Sequence, residues 1–179
     1  LGVSGNIDLV TPFGLKAILG FTIMEPKNVQ NGVSSTPVLT EKYSTNWAIT
    51  YDIPKWFLSI DYPGNLYGPM RLPLLSDVDP RPEYSPIWSL QNIQFTYKKF
   101  RNFELYGGVK NMLNWTPNKS TPFLIARAND PFDEGVEYDT NGNVLATPSN
   151  PYALTFDPGY VYAPNQGIRG FLGIRYTIF

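Results

Sequence analysis

Apolar and polar residues alternate along successive stretches of this chain, and the connections between those stretches also alternate, short then long. A period of two puts successive side chains on opposite faces of a β-strand, so each stretch is an amphipathic strand. LKAILGFTIM places Leu15, Ala17, Leu19, Phe21 and Ile23 on one face and Lys16, Gly20 and Thr22 on the other, together with Ile18 and Met24. NWAITYDI opposes Trp47, Ile49, Tyr51 and Ile53 to Asn46, Ala48, Thr50 and Asp52, and WFLSIDY opposes Leu58, Ile60 and Tyr62 to Ser59 and Asp61. The second half of IWSLQNIQFTYK sets Ile93, Phe95 and Tyr97 against Gln94, Thr96 and Lys98, and FELYGGVKNML sets Phe103, Leu105 and Val109 against Glu104 and Lys110. A weaker strand, VSGNIDLV, opens the series with Ile7 and Leu9 against Asn6 and Asp8. From Ile168 the last stretch puts Leu172, Ile174, Tyr176 and Ile178 opposite Gly173, Arg175 and Thr177.

That makes about seven strands, each near the roughly 9–11 residues that a tilted strand needs to cross a bilayer. They are joined by a short turn at TPFG, a long segment from Glu25 to Lys42, and a short turn around PKW. A long segment from Gly64 to Pro86, a short turn at KFRN and a very long segment from Thr116 to Gly167 follow. A soluble sandwich has turns of mixed length at both ends. Short turns at one end and long loops at the other characterise outer-membrane barrels, where the short turns are periplasmic and the long loops extracellular. The sequence therefore predicts an all-β fold, an antiparallel transmembrane β-barrel, with the C-terminus on the periplasmic side. A basic residue at the bilayer midplane costs roughly 2–4 kcal/mol, so Lys16, Asp52, Lys98, Glu104, Lys110 and Arg175 are expected to face the lumen. The apolar face, with Trp47, Tyr51, Tyr62, Tyr97 and Tyr176 toward strand ends, is expected to face lipid. A soluble, half-buried sheet would alternate in the same way strand by strand; the loop asymmetry is what favours the barrel.

Composition narrows the function. With 14 Lys+Arg against 15 Asp+Glu and a net charge of −1, the chain has no basic field for nucleic acid. It has no Cys and no His, which removes thiol nucleophiles, disulfides, the usual zinc sites and any imidazole-based triad. No carboxylate pair stands out among the acidic residues, so no catalytic residue, no enzymatic activity and no cofactor are expected. Aromatic residues reach 15%, an enrichment that suits both strands and membrane interfaces. The 17 Pro and 15 Gly would break most helices, and no apolar run reaches the roughly 18 residues of a transmembrane helix.

FELYGGVKNMLNWTP, followed after a long loop by FDPGYVYAPNQGIRGFLGIRY, resembles the last two strands of TonB-dependent outer-membrane receptors, particularly of the Bacteroidetes type. The matching runs are GVKNMLN, from Gly108 to Asn114, and RGFLGIRY, from Arg169 to Tyr176. The resemblance implies a barrel of about 22 strands closed by a plug. Residues 1–179 are then expected to be its C-terminal portion, with the plug and earlier strands outside them. It also implies active uptake of a scarce nutrient, such as a ferric siderophore, a corrin or an oligosaccharide. The implied partners are the rest of the barrel and the plug, a TonB-type energy-coupling protein, the lipid bilayer and a surface lipoprotein. A passive porin-type barrel and a soluble carbohydrate-binding β-sandwich are the alternatives.

Candidate ligand-binding residues lie in the longest loop: Arg127 as a partner for an anionic ligand, Asp130 in an acidic run, and Tyr138, Tyr160 and Tyr162 as rigid aromatic contacts. The same aromatics could instead pack the loop against the rim. DTNGN spaces Asp139, Asn141 and Asn143 as the start of a calcium loop does, but the later Glu is missing. Asn141-Gly142 between Val136, Tyr138, Val144 and Leu145 reads better as a hairpin. At the end of the chain, Leu172, Ile174, Tyr176 and Ile178 are expected to form the assembly signal of a closing strand, with Phe179 as an interfacial anchor.

Overall fold

The computed structural model describes residues 1–72, 82–117, 124–125, 136–141, 144–149, 151, 153, 157–164 and 166–178. Its elements, in order, begin with β1 (Gly2–Val10), β2 (Leu15–Met24), β3 (Asn28–Gln30), β4 (Val33–Ser35) and β5 (Tyr43–Ile53). A 3-10 turn at Pro54–Trp56 leads into β6 (Leu58–Tyr67), β7 (Trp88–Gln91), β8 (Ile93–Tyr97) and β9 (Phe103–Lys110). Last come β10 (Leu124–Ile125), β11 (Asp157–Val161) and β12 (Arg169–Tyr176). One antiparallel sheet runs in the order β1-β2-β5-β6-β8-β9-β12, with β7 also paired to β6. Because Asn65 faces Leu90 and Asp61 faces Gln94 in one unbroken register, β7 and β8 are a single strand in two segments. The break falls at Asn92, whose N–H donates to the carbonyl of Pro63 at 3.0 Å; Pro63 has no N–H to give back. The main sheet thus has the expected seven strand positions.

The differences from expectation are local and have physical causes. Strand β6 continues through Pro63 to Tyr67, and β5 begins at Tyr43, so Trp47 and Tyr62 sit inside strands rather than toward their ends. Strand β9 stops at Lys110 because Asn111 turns to φ 49°. Trp56 belongs to the turn, which Phe57 closes at φ 55° by donating its N–H to the carbonyl of Pro54. The long segment after β2 holds the β3/β4 hairpin, turned by Asn31 at φ 50° and Gly32 at φ 79°. That pair of positive φ values is what a two-residue Asn-Gly hairpin turn requires.

Registers align the alternation across the sheet. One row runs Leu15, Tyr51, Ile60, Phe95, Gly107, Leu172 from β2 to β12; a row on the other face runs Asp52, Ser59, Thr96, Tyr106, Gly173. In water, the apolar face would be the buried one. Here the order is reversed: Gly20, Ser59, Trp88 and Thr96, all on the polar face, are the buried residues of the sheet, and no described strand residue on the apolar face is buried. Ile7 and Ile174 are each 61% exposed and Phe95 43%. Toward the long-loop end the phase switches. Trp88 and Leu90 turn to the polar face while Ser89 and Gln91 take the apolar one.

Close cross-strand packing fixes two of the glycines. Trp47 lies across its partner Gly64, where a Cβ would come within 2.3 Å of the indole, and Tyr106 covers its partner Gly173 in the same way. A flat ring over a bare backbone offsets the contact surface that glycine lacks. Gly64→Val is expected to displace the Trp47 ring and to cost about 1–3 kcal/mol through overpacking. The readouts are the denaturation midpoint of the full-length protein and its tryptophan emission; if both stayed unchanged, the ring would not rest on Gly64.

Candidate functional site

Three long connections, residues 25–42, 68–87 and 111–168, meet at one end of the sheet. They do so by continuing the strand ladder. Gly68 N–H donates to Tyr43 O, Leu39 N–H to Arg71 O, Ser85 N–H to Met70 O and Leu72 N–H to Glu83 O, all at 2.8 Å. Single bridges pair Glu41 with Met70 and Arg71 with Tyr84. The Ser85 hydroxyl accepts the Met70 N–H at 3.0 Å, so that buried donor is satisfied. Arg71 ties the layers together, with Nη1 on the carbonyl of Thr36 at 3.1 Å and Nε 3.4 Å from Glu83.

Beneath this ladder sits the molecule's buried apolar cluster: Met70, Leu72, Trp88, Tyr162 and Ala163, with Leu39, Tyr67, Leu90 and Trp115 packed against it. Trp88 is the centre of an aromatic pile, stacked on Tyr67 at 4.3 Å and on Trp115 at 5.2 Å between centroids. Rings at such separations add about 0.5–1.5 kcal/mol per pair beyond simple burial. The pile joins three segments far apart in sequence and fixes the ends of β6, β7 and β9 to one another.

A second device anchors the longest loop at both of its feet. Asn111 is 4% exposed. Its Nδ2 donates to Trp115 O at 2.7 Å and Gln166 O at 3.0 Å, while its Oδ1 accepts the Trp115 N–H at 3.0 Å. Its own N–H goes to Asn92 Oδ1 at 2.9 Å. Asn114, at φ 51°, accepts the Ile168 N–H on Oδ1 at 2.9 Å. Asparagine tolerates a left-handed backbone better than most residues and brings both a donor and an acceptor. The asparagines of GVKNMLN are therefore the clamp that brings the returning chain onto β12.

The polar face forms a wall of neutralised charge below the loops. Lys16 and Asp52 lie 3.4 Å apart, Thr50 donates to Asp61 at 2.7 Å, and Arg175 holds Glu104 at 2.8 Å. Lys110 sits 5.5 Å over the Phe171 ring, beside a cavity of 180 Å³ that Asp61, Asn92 and Gln94 also line. Such a wall offers hydrogen bonds and weak ion contacts. Among the described residues no group of acidic, His or Cys side chains could hold a metal ion.

The sequence-derived candidates fall in different places. Tyr162 is 5% exposed inside the apolar cluster. Tyr138 bridges Val144, and Leu145 N–H donates to Glu137 O at 2.8 Å; this reversal follows the expected hairpin, with Asp139 Oδ1 accepting the Asn141 N–H at 2.8 Å. Tyr160 belongs to β11, which pairs with β10, and its side chain lies outside the described residues, as do Arg127, Asp130 and Phe179. Leu172, Ile174 and Tyr176 share the apolar face of β12 and are 85%, 61% and 65% exposed; Ile178 follows the strand at 85%. Strands β1 and β12 are the two outer edges, each paired on one side only within this sheet. The Trp88 pile was missed by strand periodicity, although the phase switch at Trp88 and Leu90 is its signal.

No protein-family model and no curated protein matches the chain. Among solved structures, the fold is similar to the ferric enterobactin receptor PfeA in complex with BCV-L6, with a TM-score of 0.53 and 20% identity, covering 67% of this chain and 18% of that one. Two mutants of that receptor from Pseudomonas aeruginosa match with the same score and identity, each covered over 17% of its length. The chain spans less than a fifth of the receptor it matches. The architecture is accordingly an antiparallel sheet with the fold of part of that receptor's β-barrel.

Asn111→Ala removes three side-chain hydrogen bonds and places a Cβ residue without side-chain compensation at φ 49°. A loss of about 2–4 kcal/mol is expected, together with faster proteolysis between residues 115 and 167. Asn111→Asp keeps the acceptor for the Trp115 N–H but turns a buried carboxylate oxygen onto the Trp115 and Gln166 carbonyls, so its midpoint should fall at least as far as that of Asn111→Ala.

Proposed function

We propose that this chain is the C-terminal portion of a TonB-dependent receptor barrel of the Bacteroidetes type, which takes up a scarce nutrient across the bacterial outer membrane. The observation that carries this reading is the reversed burial of the sheet, with Ile7, Phe95 and Ile174 exposed on one face while Ser59 and Thr96 are buried on the other. A face of that kind is solvated by hydrocarbon rather than water. Ten-residue strands such as β2, at about 3.3 Å per residue and about 40° of tilt, span about 25 Å, the height of the apolar band of such barrels.

In this reading the remaining strands complete the barrel by pairing with the open edges of β1 and β12, and the plug closes its lumen. The short turns lie on the periplasmic side, where an energy-coupling protein acts on the plug, and the C-terminus emerges there. The long loops form the outer vestibule, in reach of a surface lipoprotein that delivers ligand. Leu172, Ile174, Tyr176, Ile178 and Phe179 serve assembly; Arg127, Asp130, Tyr138, Tyr160 and Tyr162 belong to the ligand side. The likeness to a ferric enterobactin receptor supports a nutrient complex as cargo, taken from ferric siderophores, corrins or oligosaccharides. In this reading the work of the chain is selective, non-covalent capture and passage.

Two measurements test this. Uptake of iron chelates, corrins or oligosaccharides by cells carrying the full-length protein should stop when the energy-coupling protein is deleted; uptake that continued would favour a passive channel. Phe95→Arg, on the apolar face, should cost about 2–4 kcal/mol and impair membrane insertion, whereas Gln94→Arg, one residue away on the polar face, should insert normally. Equal behaviour of the two variants would overturn the assignment of faces.

A further inference from the structure

The three short connections, residues 11–14, 54–57 and 98–102, carry four cations, Lys55, Lys98, Lys99 and Arg101, and no acidic residue. All four are exposed, and none forms an ion pair among the described residues. The nearby carboxylates are already taken, Asp52 by Lys16 and Glu104 by Arg175. At the opposite end three of the described cations have company: Lys27 pairs with Glu25 at 3.0 Å, Arg71 with Glu83 at 3.4 Å, and Lys42 sits 5.3 Å over the Tyr84 ring, while Arg169 is exposed without an ion pair among the described residues.

The same connections expose four aromatic rings, Phe13 at 63%, Trp56 at 61%, Phe57 at 49% and Phe100 at 51%. Phe100 meets Tyr97 and Phe103 edge-on at 6.2 and 5.7 Å. Phe103 in turn stands opposite Tyr176 on the apolar face. The apolar face therefore ends in a band of rings, and unpaired cations begin directly beyond it. Rings of this kind settle at headgroup level, and basic residues placed just past them attract anionic lipid.

We infer that the short-turn rim is a binding surface for anionic phospholipid headgroups, with Lys55, Lys99 and Arg101 taking the phosphates while Phe100 and Trp56 seat in the interface; Lys98, which continues the polar face beside Asp52, points the other way. The inference rests on the membrane reading above. It predicts an unequal lipid shell, richer in anionic lipid around the short turns than around the loops. Each cation near a charged membrane surface favours anionic lipid by about five-fold, and salt weakens that attraction.

The test uses the full-length protein inserted into vesicles of equimolar phosphatidylglycerol and phosphatidylcholine, then extracted with its bound lipid counted by native mass spectrometry. Wild type should retain phosphatidylglycerol at least about ten-fold over phosphatidylcholine. Lys55→Gln/Lys99→Gln/Arg101→Gln should fall to near parity, while Lys27→Gln/Lys42→Gln, at the other end, should match wild type. Raising the salt from about 0.05 to about 0.5 M should reduce the wild-type preference, a readout that holds even if the triple variant fails to fold. Equal retention by wild type and triple variant, a salt-independent preference, or displacement of the lipid by millimolar inorganic phosphate would each overturn the inference. Insertion without any lipid preference overturns this inference alone; failure to insert at all overturns the membrane reading as well.

Discussion

Backbone hydrogen bonding is the constraint on which the rest of this molecule depends. A strand exposed to hydrocarbon has no water to satisfy its N–H and C=O groups, and each unmet group costs several kcal/mol. The main sheet answers with registers that run without a bulge from β1 to β12. Where Pro63 removes a donor, the partner strand splits into β7 and β8 but keeps its register, and Asn92 still donates to the Pro63 carbonyl. With pairing held constant, side-chain phase is free to follow the solvent, which is why small polar residues such as Ser59 and Thr96 are the ones shielded.

Much of this fold could be read before any coordinates. A period of two survives every local perturbation of a strand, so Leu15 to Ile23, Trp47 to Ile53 and Ile93 to Tyr97 announced both their conformation and their shared face. Boundaries were harder because they depend on pairing rather than on composition. Nothing in Pro63-Gly64 signals a continuing strand, yet β5 supplies partners as far as Ser44 opposite Tyr67 and carries β6 through them. Asn111 ends β9 earlier than hydrophobic periodicity implies, since Met112 and Leu113 continue the apolar pattern after the backbone has already turned.

The site was less legible than the fold. The stack of Tyr67, Trp88 and Trp115 links positions that no local rule connects, and it becomes visible only once the register sets Tyr67 beside Trp88. Asn111 and Asn114 were visible as part of a run similar to a known family, but their work was not: it lies in reaching Gln166 and Ile168 across the longest loop. Tyr162 shows the opposite case. An aromatic residue in a loop invites a binding role from sequence alone, and its burial among Leu72, Trp88 and Ala163 makes it a support for the loop's base.

Side-chain phase reverses between Ile93 and Leu90. On one continuous strand, Phe95 and Tyr97 look toward the apolar side, while Leu90 and Trp88 look away from it. The strand thus carries its own waterline, drawn by side chains rather than by the end of the ladder. In the membrane reading proposed above, the same hydrogen-bonded ribbon becomes ordinary water-facing β-structure beyond that line, with Trp88 and Leu90 turned onto the apolar cluster. In that reading, outer loops on such a scaffold can lengthen or shorten two residues at a time without altering how deep the protein sits, so their size can change independently of its anchoring.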